Sequence, residues 1–394
     1  MGKLLASAIV LAGLLAPLTG ARGQDDARTV TLDDFESELS GWTAIKIEDG
    51  AGFSADGDAR VALTRDAQHV KAGRGALSYA YEVSPGAMRA LTIQRPKDFT
   101  GMKSLHFWVK CTSATALLVS LNETGGASYQ ATVYCPMGTW QEVALNLDEF
   151  VPDDPSKDKN GRLDLDEIES FHLIDLGCFL VRMLPDIKGP RLLWLDDVTF
   201  SSQPVPQTTG VTKSDKGAPI HLVDSFESPV IRWAPASFEL GETPRVNLFD
   251  APLAVDADAA PGGGKQSLRM TYTRQAAKIQ GLMRNLEKVD LKKATGLEIP
   301  LRTSHDGTFM VSIQEKDGSR YQQMVELKAA DGWKKLSLAF TALKLADDSQ
   351  DENGKLDADQ IKEISLADLT PALPGAVLGV ENVLRVDEVR FMLN

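Results

Sequence analysis

The chain has little of what metal chemistry and most catalysis require. Three cysteines occur in 394 residues, Cys111, Cys135 and Cys178, with no Cys-x-x-Cys pair, and five histidines are scattered with no His-Glu-x-x-His spacing. Zinc, which needs clustered Cys and His ligands, has no support. Three thiols allow one disulfide and leave one over, so no disulfide framework organises the fold. Positive charge is short as well: 42 Lys and Arg against 55 Asp and Glu leave a net charge of −13. That balance disfavours nucleic acid and anionic membranes as partners, and it is compatible with divalent cations and neutral polymers. No Ser/His/Asp constellation can be read. The run PGGGKQS lacks the first glycine of a phosphate loop and has Gln266 where Ser or Thr is required. A glycosidase needs two carboxylates across a cleft. Glu123 and Glu315 occupy matching strand ends, but the sequence pairs neither with a second acid. The chain therefore reads as a non-enzyme.

Long apolar runs are also missing, apart from the first residues. Lys3, the run Leu4 to Leu18 and the triplet Ala21-Arg22-Gly23 form a charged n-region, an apolar h-region and a small-x-small cleavage site. Residues 1–23 are expected to be a secretory signal. Their apolar run is short for a bilayer-spanning helix of ~20 residues and is broken by Pro17. No cysteine lies near the cleavage point, so a lipoprotein is not expected. Cleavage removes Lys3, Arg22 and no acid, which takes the charge to −15. The expected location is secreted or periplasmic, with no membrane span after cleavage.

What fills the rest is a duplication. Phe35 and Trp42 return as Phe226 and Trp233, Leu77 as Leu268, Asp196 as Asp387 and Phe200 as Phe391, all at an offset of 191. Trp140 returns as Trp333, Asn160-Gly161 as Asn353-Gly354 and Asp164 as Asp357, at 193. A register held that closely means a repeated domain. The expected layout is module 1 at 28–202, a Ser/Thr/Pro/Gly-rich linker at 203–219 and module 2 at 220–394. Each copy is long enough for one buried core. Within each, apolar residues alternate with period two: Leu77/Tyr79/Tyr81, Leu105/Phe107/Val109, Val143/Leu145/Leu147, then Leu268/Met270/Tyr272 and Leu336/Leu338/Phe340. Short alternating runs between Gly, Asn and Asp clusters, without a long helical period, predict an all-β chain of two tandem β-sandwich (jelly-roll) domains.

The ordered motifs point further. Each copy opens with an acidic-aromatic strand and a Trp (Asp34-Phe35-Glu36 with Trp42; Phe226-Glu227 with Trp233). A Gly-rich turn before a strand follows (GRGALSYAY; GGKQSLRMTY), then a strand opened by Trp (WQEVALNLDEF; WKKLSLAFTAL). An acidic loop comes next (DKNGRLDLDEIESF; DENGKLDADQIKEI), and a final strand carries Asp (WLDDVTF; RVDEVRF). This series resembles the galactose-binding-like jelly rolls, most closely the family 11 carbohydrate-binding modules, over nearly the whole mature chain. The resemblance implies an exported, non-catalytic protein whose partner is a polysaccharide or cell-wall glycan of β-glucan type. It also implies a structural Ca²⁺ tying first strand to last, at the positions Glu36 with Asp196 and Glu227 with Asp387. Strand parity adds that Asp196 shares a face with Val198 and Phe200, and Asp387 with Val389 and Phe391. An Asp on a core-facing row needs either a metal or hydrogen-bond donors.

Two further sets of candidates follow from residue types and spacing. Asp158, Asn160, Gly161 and Asp164, like Asp351, Asn353, Gly354 and Asp357, place oxygen ligands around a turn glycine in the manner of a calcium loop. Against this, Ser156 and Ser349 hold the first EF-hand position and Gln360 replaces Glu167 at the twelfth; the other reading is an Asx-rich turn capping a short helix. For sugar binding, which needs a flat ring beside amides and carboxylates, copy one offers Trp108, Asn122, Gln130 and Tyr134. Copy two has Pro300, Gln314, Gln322 and Glu326 there, so module 1 is the expected binder. The competing reading is that Trp108 and Tyr134 cover the sandwich or meet the other module. Tyr129, Tyr321 and the four repeated Trp residues read as packing. The alternative function is a cell-surface or periplasmic structural or protein-interaction protein that no longer binds sugar.

Overall fold

The computed structural model describes residues 27–394 except 40, 49–51, 95–97, 159, 215 and 287–288; the expected signal segment 1–23 lies outside them. The alternating segments are strands, and their apolar residues face inward. In Ser104–Cys111, Leu105, Phe107 and Val109 are buried while His106, Trp108 and Lys110 are half-buried on the other side. One short α-helix, Gly177–Leu180, occurs among the described residues. The helix capped by Asp164 does not form. In copy one the chain makes a turn there and enters the strand Ile168–Asp175, whose Ile168, Phe171 and Leu173 are claimed by the core. At the corresponding place copy two makes a single 3₁₀ turn, Ala358–Gln360, after Asp357.

Each copy is a sandwich of two antiparallel sheets. In the first, one sheet runs Gln141–Asn146, Ser104–Cys111, Gly189–Ser201, Ala76–Val83, Arg60–Thr64, with Thr29–Asp33 also on Gly189–Ser201. Its partner runs Val151–Pro152, Ser128–Cys135, Thr115–Glu123, Ile168–Asp175, Ala87–Gln94, Trp42–Glu48, Gly52–Ala55. The second copy repeats this with strands from Gly210–Lys213 to Val389–Leu393. Each copy closes around a core of its own, the first centred on Phe35, Phe107 and Phe200 and the second on Phe226, Phe309 and Phe391. Pro300 lies in the central strand Ala294–Thr303. Its missing N–H falls where the neighbouring strand breaks between Val386 and Val389, so no ladder bond is lost.

The two copies are welded, and the segment 203–219 is not a loose tether. The Val205 N–H donates to Asn146 Oδ1 at 2.9 Å and Asn146 Nδ2 donates back to the Val205 carbonyl at 3.1 Å. Gly210–Lys213 then pairs with Pro219–Asp224 as an edge strand of the second copy. Across the junction Val230 enters the first core and Tyr134 the second. A charged cluster sits between them. Arg232 pairs with Glu149, its Nη1 donates to Thr208 Oγ1 at 3.1 Å, and Arg284 Nη1 donates to the Arg232 carbonyl at 3.3 Å. Burial pushes the Arg284 guanidinium down to about 10 and lifts the neighbouring Asp224 carboxyl above its usual range.

Candidate functional site

The outward side of the strands Ser128–Cys135, Thr115–Glu123, Ile168–Asp175, Ala87–Gln94 and Trp42–Glu48 carries the most organised polar surface of copy one. Register places Gln130 opposite Ser120, Ser120 opposite His172, and His172 opposite Thr92. Asn122 lies between Ser128 and Ser170 in the adjacent row. These groups are hydrogen-bonded to one another: Ser128 Oγ to Ser120 Oγ at 2.9 Å, Ser120 Oγ to Asn122 Oδ1 at 2.9 Å, Asn122 Nδ2 to Ser170 Oγ at 3.1 Å and Ser170 Oγ to His172 Nε2 at 2.9 Å. Phe53, on the outermost strand three places from Ile168–Asp175, is 66 % exposed. Its ring centroid is nevertheless 6.1 Å from that of His172, which requires the sheet to curl into a concave face. Burial holds the His172 imidazole down at about 4, so it presents a neutral ring there.

Of the four residues expected to bind sugar, two belong to this face and two do not. Asn122 and Gln130 are on it. Trp108 is on the outer side of the opposite sheet, where Lys71 Nζ sits 4.1 Å above its ring. Tyr134 is 3 % exposed and packs into the second core beside Phe249, with ring centroids 5.9 Å apart. The alternation that exposes Gln130 also turns Tyr134 outward, and module 2 then covers it. Sequence parity cannot see a neighbouring module. Phe53 was missed because its four-residue edge strand, Gly52–Ala55, is too short to show a period.

The corresponding face of copy two keeps Gln322 and Ser312, but places Gln314 at the position of Asn122, Ser365 at that of His172, Met283 at that of Thr92 and Val246 at that of Phe53. One edge of it opens into a cleft of about 1200 Å³ between the copies, lined by Met183–Arg191 from the first and Pro244–Asp250, Lys278 and Met283 from the second.

The carboxylates expected to tie first strand to last do converge on the Gly-rich turn. Glu36 Oε1 accepts from the Arg74 and Gly75 N–H groups at 2.7 and 3.2 Å. Asp196, fully buried, takes the Lys71 and Ala72 N–H groups on Oδ2 at 2.8 and 2.9 Å, and its Oδ1 has no partner. Copy two repeats the arrangement. Glu227 Oε1 accepts from Lys265 and Gln266 at 2.6 and 2.8 Å, and Asp387 accepts from Ala260 and Glu388, both at 2.7 Å. Non-glycine residues beside these carboxylates are left-handed in both copies: Phe35 and Phe226 at φ 58° and 59°, Asp197 and Glu388 at 49° and 39°. Strain of this kind persists where surroundings over-determine it, as at ligand clamps. The orphaned Asp196 oxygen fits a cation. In copy two both Asp387 oxygens are engaged, but burial lifts the carboxyl to about 6, so its charge is under-compensated there too.

The acidic loops hold a second arrangement, in which the Asx-rich turn is formed. Asp158 takes the Asn160 N–H and the Tyr129 hydroxyl, and Asp164 takes the Asn160 side-chain amide at 2.9 and 2.7 Å; the set Asp158, Asn160 and Asp164 is thus an Asx-rich turn closed on itself. Asp351, Asn353 and Asp357 form the same turn below Tyr321. Among the described residues, two groups of carboxylates could hold a metal ion: Glu123, Asp164 and Glu167, and Glu315, Asp317 and Asp351, each with ligand oxygens within 4.8 Å of one another. Glu123 therefore meets Asp164 and Glu167, and Glu315 meets Asp351, all distant in sequence, together with its near neighbour Asp317; burial lifts the Glu123 and Glu315 carboxyls above the usual range. The two groups are not equivalent, because Gln360 replaces Glu167 and Asp317 takes part only in copy two.

No family model and no curated protein matches the chain. Among solved structures it is similar to the Family 11 carbohydrate-binding module of a cellulosomal cellulase of Clostridium thermocellum, at 16 % identity and a TM-score of 0.32, covering 48 % of this chain and 97 % of that one. It is similar to the Family 11 module from Clostridium thermocellum in complex with a β-1,3-1,4-mixed-linked tetrasaccharide, at 18 % identity and 0.32, covering 43 % and 94 %. The CBM22-1-CBM22-2 tandem domain from Paenibacillus barcinonensis aligns at 13 % identity and 0.26, over 92 % of this chain and 96 % of that one.

Proposed function

We propose that the protein is an exported, non-catalytic carbohydrate-binding protein that holds a β-glucan-type polysaccharide on the concave face of module 1. The observation that carries this reading is the hydrogen-bonded row Ser128, Ser120, Asn122, Ser170 and His172 lying under the exposed ring of Phe53. Hydroxyls, an amide and a neutral imidazole match sugar hydroxyls, and a flat ring matches the C–H face of a pyranose. Gln130 extends the row at its far edge. Module 2 serves as a scaffold: its face has gained methionines, and module 1 overhangs one edge of it.

A structural Ca²⁺ held by Glu36 with Asp196, and by Glu227 with Asp387, supports the fold of each module. Those carboxylates join the first strand, the Gly-rich turn and the last strand, and a bound cation supplies the charge that the buried acids lack.

Isothermal titration of the mature chain with mixed-linkage β-glucan oligosaccharides tests the binding face. Phe53→Ala is expected to weaken binding at least roughly tenfold, in the range of an interface hot spot, with its melt unchanged because the ring is exposed. Trp108→Ala is expected to bind normally. If the intact chain binds no member of a panel of β-glucans, the polar row is an internal cross-link, and the structural or protein-interaction reading replaces this one.

A further inference from the structure

The cysteines are the reactive residues that sugar binding leaves unused. All three are free and buried. Two of them meet. Cys111 ends the strand Ser104–Cys111 in one sheet, and Cys135 ends Ser128–Cys135 in the other. A backbone bridge pairs Cys111 with Met137, two residues beyond Cys135, and the Gly138 N–H donates to the Cys111 carbonyl at 2.8 Å. Both side chains lie in the first core, and Cys135 is the leading influence on the Cys111 thiol. Cys178 lies in the helix Gly177–Leu180, beside Arg89 and Asp175.

We propose that Cys111 and Cys135 form a disulfide when the chain folds in an oxidising compartment, and that Cys178 stays a free thiol. The reaction is thiol–disulfide exchange with a small disulfide oxidant such as oxidised glutathione. One cysteine thiolate attacks the oxidant and expels one thiolate; the second cysteine attacks the resulting mixed disulfide and expels the other. The protein gives up two protons and two electrons, and the oxidant leaves as two thiols. The hydrogen bond to Cys135 and burial hold the Cys111 thiol well above its ordinary value, so exchange is slow once the core has closed; the bond forms while the sheets come together.

Its position gives the bond a task. Ala114 and Tyr134, which both pack on the second core, lie just inside the two ends of the segment it would close. A covalent tie between Cys111 and Cys135 pins the platform on which module 2 sits. Copy two has Thr303 and Leu327 at the matching positions.

Mass spectrometry decides the pairing. Trypsin leaves Cys111 and Cys135 on one peptide, 111–157, and Cys178 on another, 163–182. The purified mature chain is refolded in a glutathione redox buffer, denatured, alkylated and digested. The first peptide is expected without alkyl groups and lighter by the two hydrogens lost; the second is expected alkylated. Reduction should lower the melting temperature by roughly 5–10 °C, as for loss of a loop-closing disulfide in a domain of this size. That shift should vanish in Cys111→Ser and persist in Cys178→Ser. Alkylation of both cysteines on the first peptide, or a cross-link to Cys178, overturns the proposal even if Cys111→Ser fails to fold. The proposal relies on export only for its oxidant. A bond that forms in the redox buffer but is missing from protein recovered from the export compartment would sink the export reading and leave the pairing intact.

Discussion

Phe53 and Trp108 are both outward-facing aromatics of copy one, yet they sit on opposite sheets. Phe53 borders a polar row on a concave surface, whereas Trp108 is capped by Lys71, an arrangement that fills the ring face with a cation. One is free to stack on a ligand and the other is occupied. His172 adds a pH signature at the same scale. Burial lowers its imidazole from 6.5 to about 4. Between those values the unfolded chain takes up a proton that the folded chain refuses. The contribution is therefore intact above pH 6.5 and is lost as pH falls toward about 4. Melts recorded between pH 7 and pH 4 should show that loss in the wild type, and a shallower one in His172→Gln.

The Gly-rich turn is the element on which both copies depend. A Cβ at Gly73 or at Gly264 would lie 2.1 Å from the carboxylate of Glu36 or Glu227. Because each carboxylate is anchored by two backbone N–H groups, it cannot yield without losing them. Gly73 also has φ +60°, where an L side chain is strained. Gly73→Ala is expected to destabilise by about 1–2 kcal/mol, from left-handed strain and a displaced hydrogen bond; urea unfolding measures it. The same turn predicts the calcium response. Calcium should raise, and EDTA lower, the melting temperature through binding to the folded state alone. Asp196→Ala should abolish that difference in module 1, and Asp387→Ala in module 2. A chain indifferent to EDTA would leave these Asp residues as hydrogen-bonded supports for the turn.

At the scale of the whole molecule, the copies exchange residues as well as facing each other. Val230 completes the first core, Tyr134 the second, and the Arg232–Glu149 pair is buried between them. Residues 28–202 and 218–394, expressed separately, should each retain a β-sandwich but melt below the intact chain, since each exposes an apolar plug or its socket. Tyr134→Ala in the intact chain should cost about 3 kcal/mol or more, as for a buried aromatic truncation, and should loosen the junction, visible as faster amide exchange around Ile231. Halves that melt as high as the intact protein would show that the junction adds nothing to stability.

Alternation and repetition in the sequence were enough to determine the all-β architecture and its duplication. Period two is a local property, and Leu105, Phe107 and Val109 point inward whatever surrounds them. The same holds for Asp196 and Asp387: an acid in phase with Val198 and Phe200, or with Val389 and Phe391, had to be buried and compensated. Choosing between equivalent outer positions was beyond the sequence. Parity places Trp108, Gln130 and Tyr134 outside alike, but it does not say which sheet they are on, how that sheet curves or what covers it. Tertiary structure settled those questions. Sheet curvature brought Phe53 to His172, the turn at Asp164 brought Glu123 to other acids, and the second module buried Tyr134. These contacts join residues far apart in the chain, and their energy depends on the packing of two sheets and two modules, which no local pattern encodes.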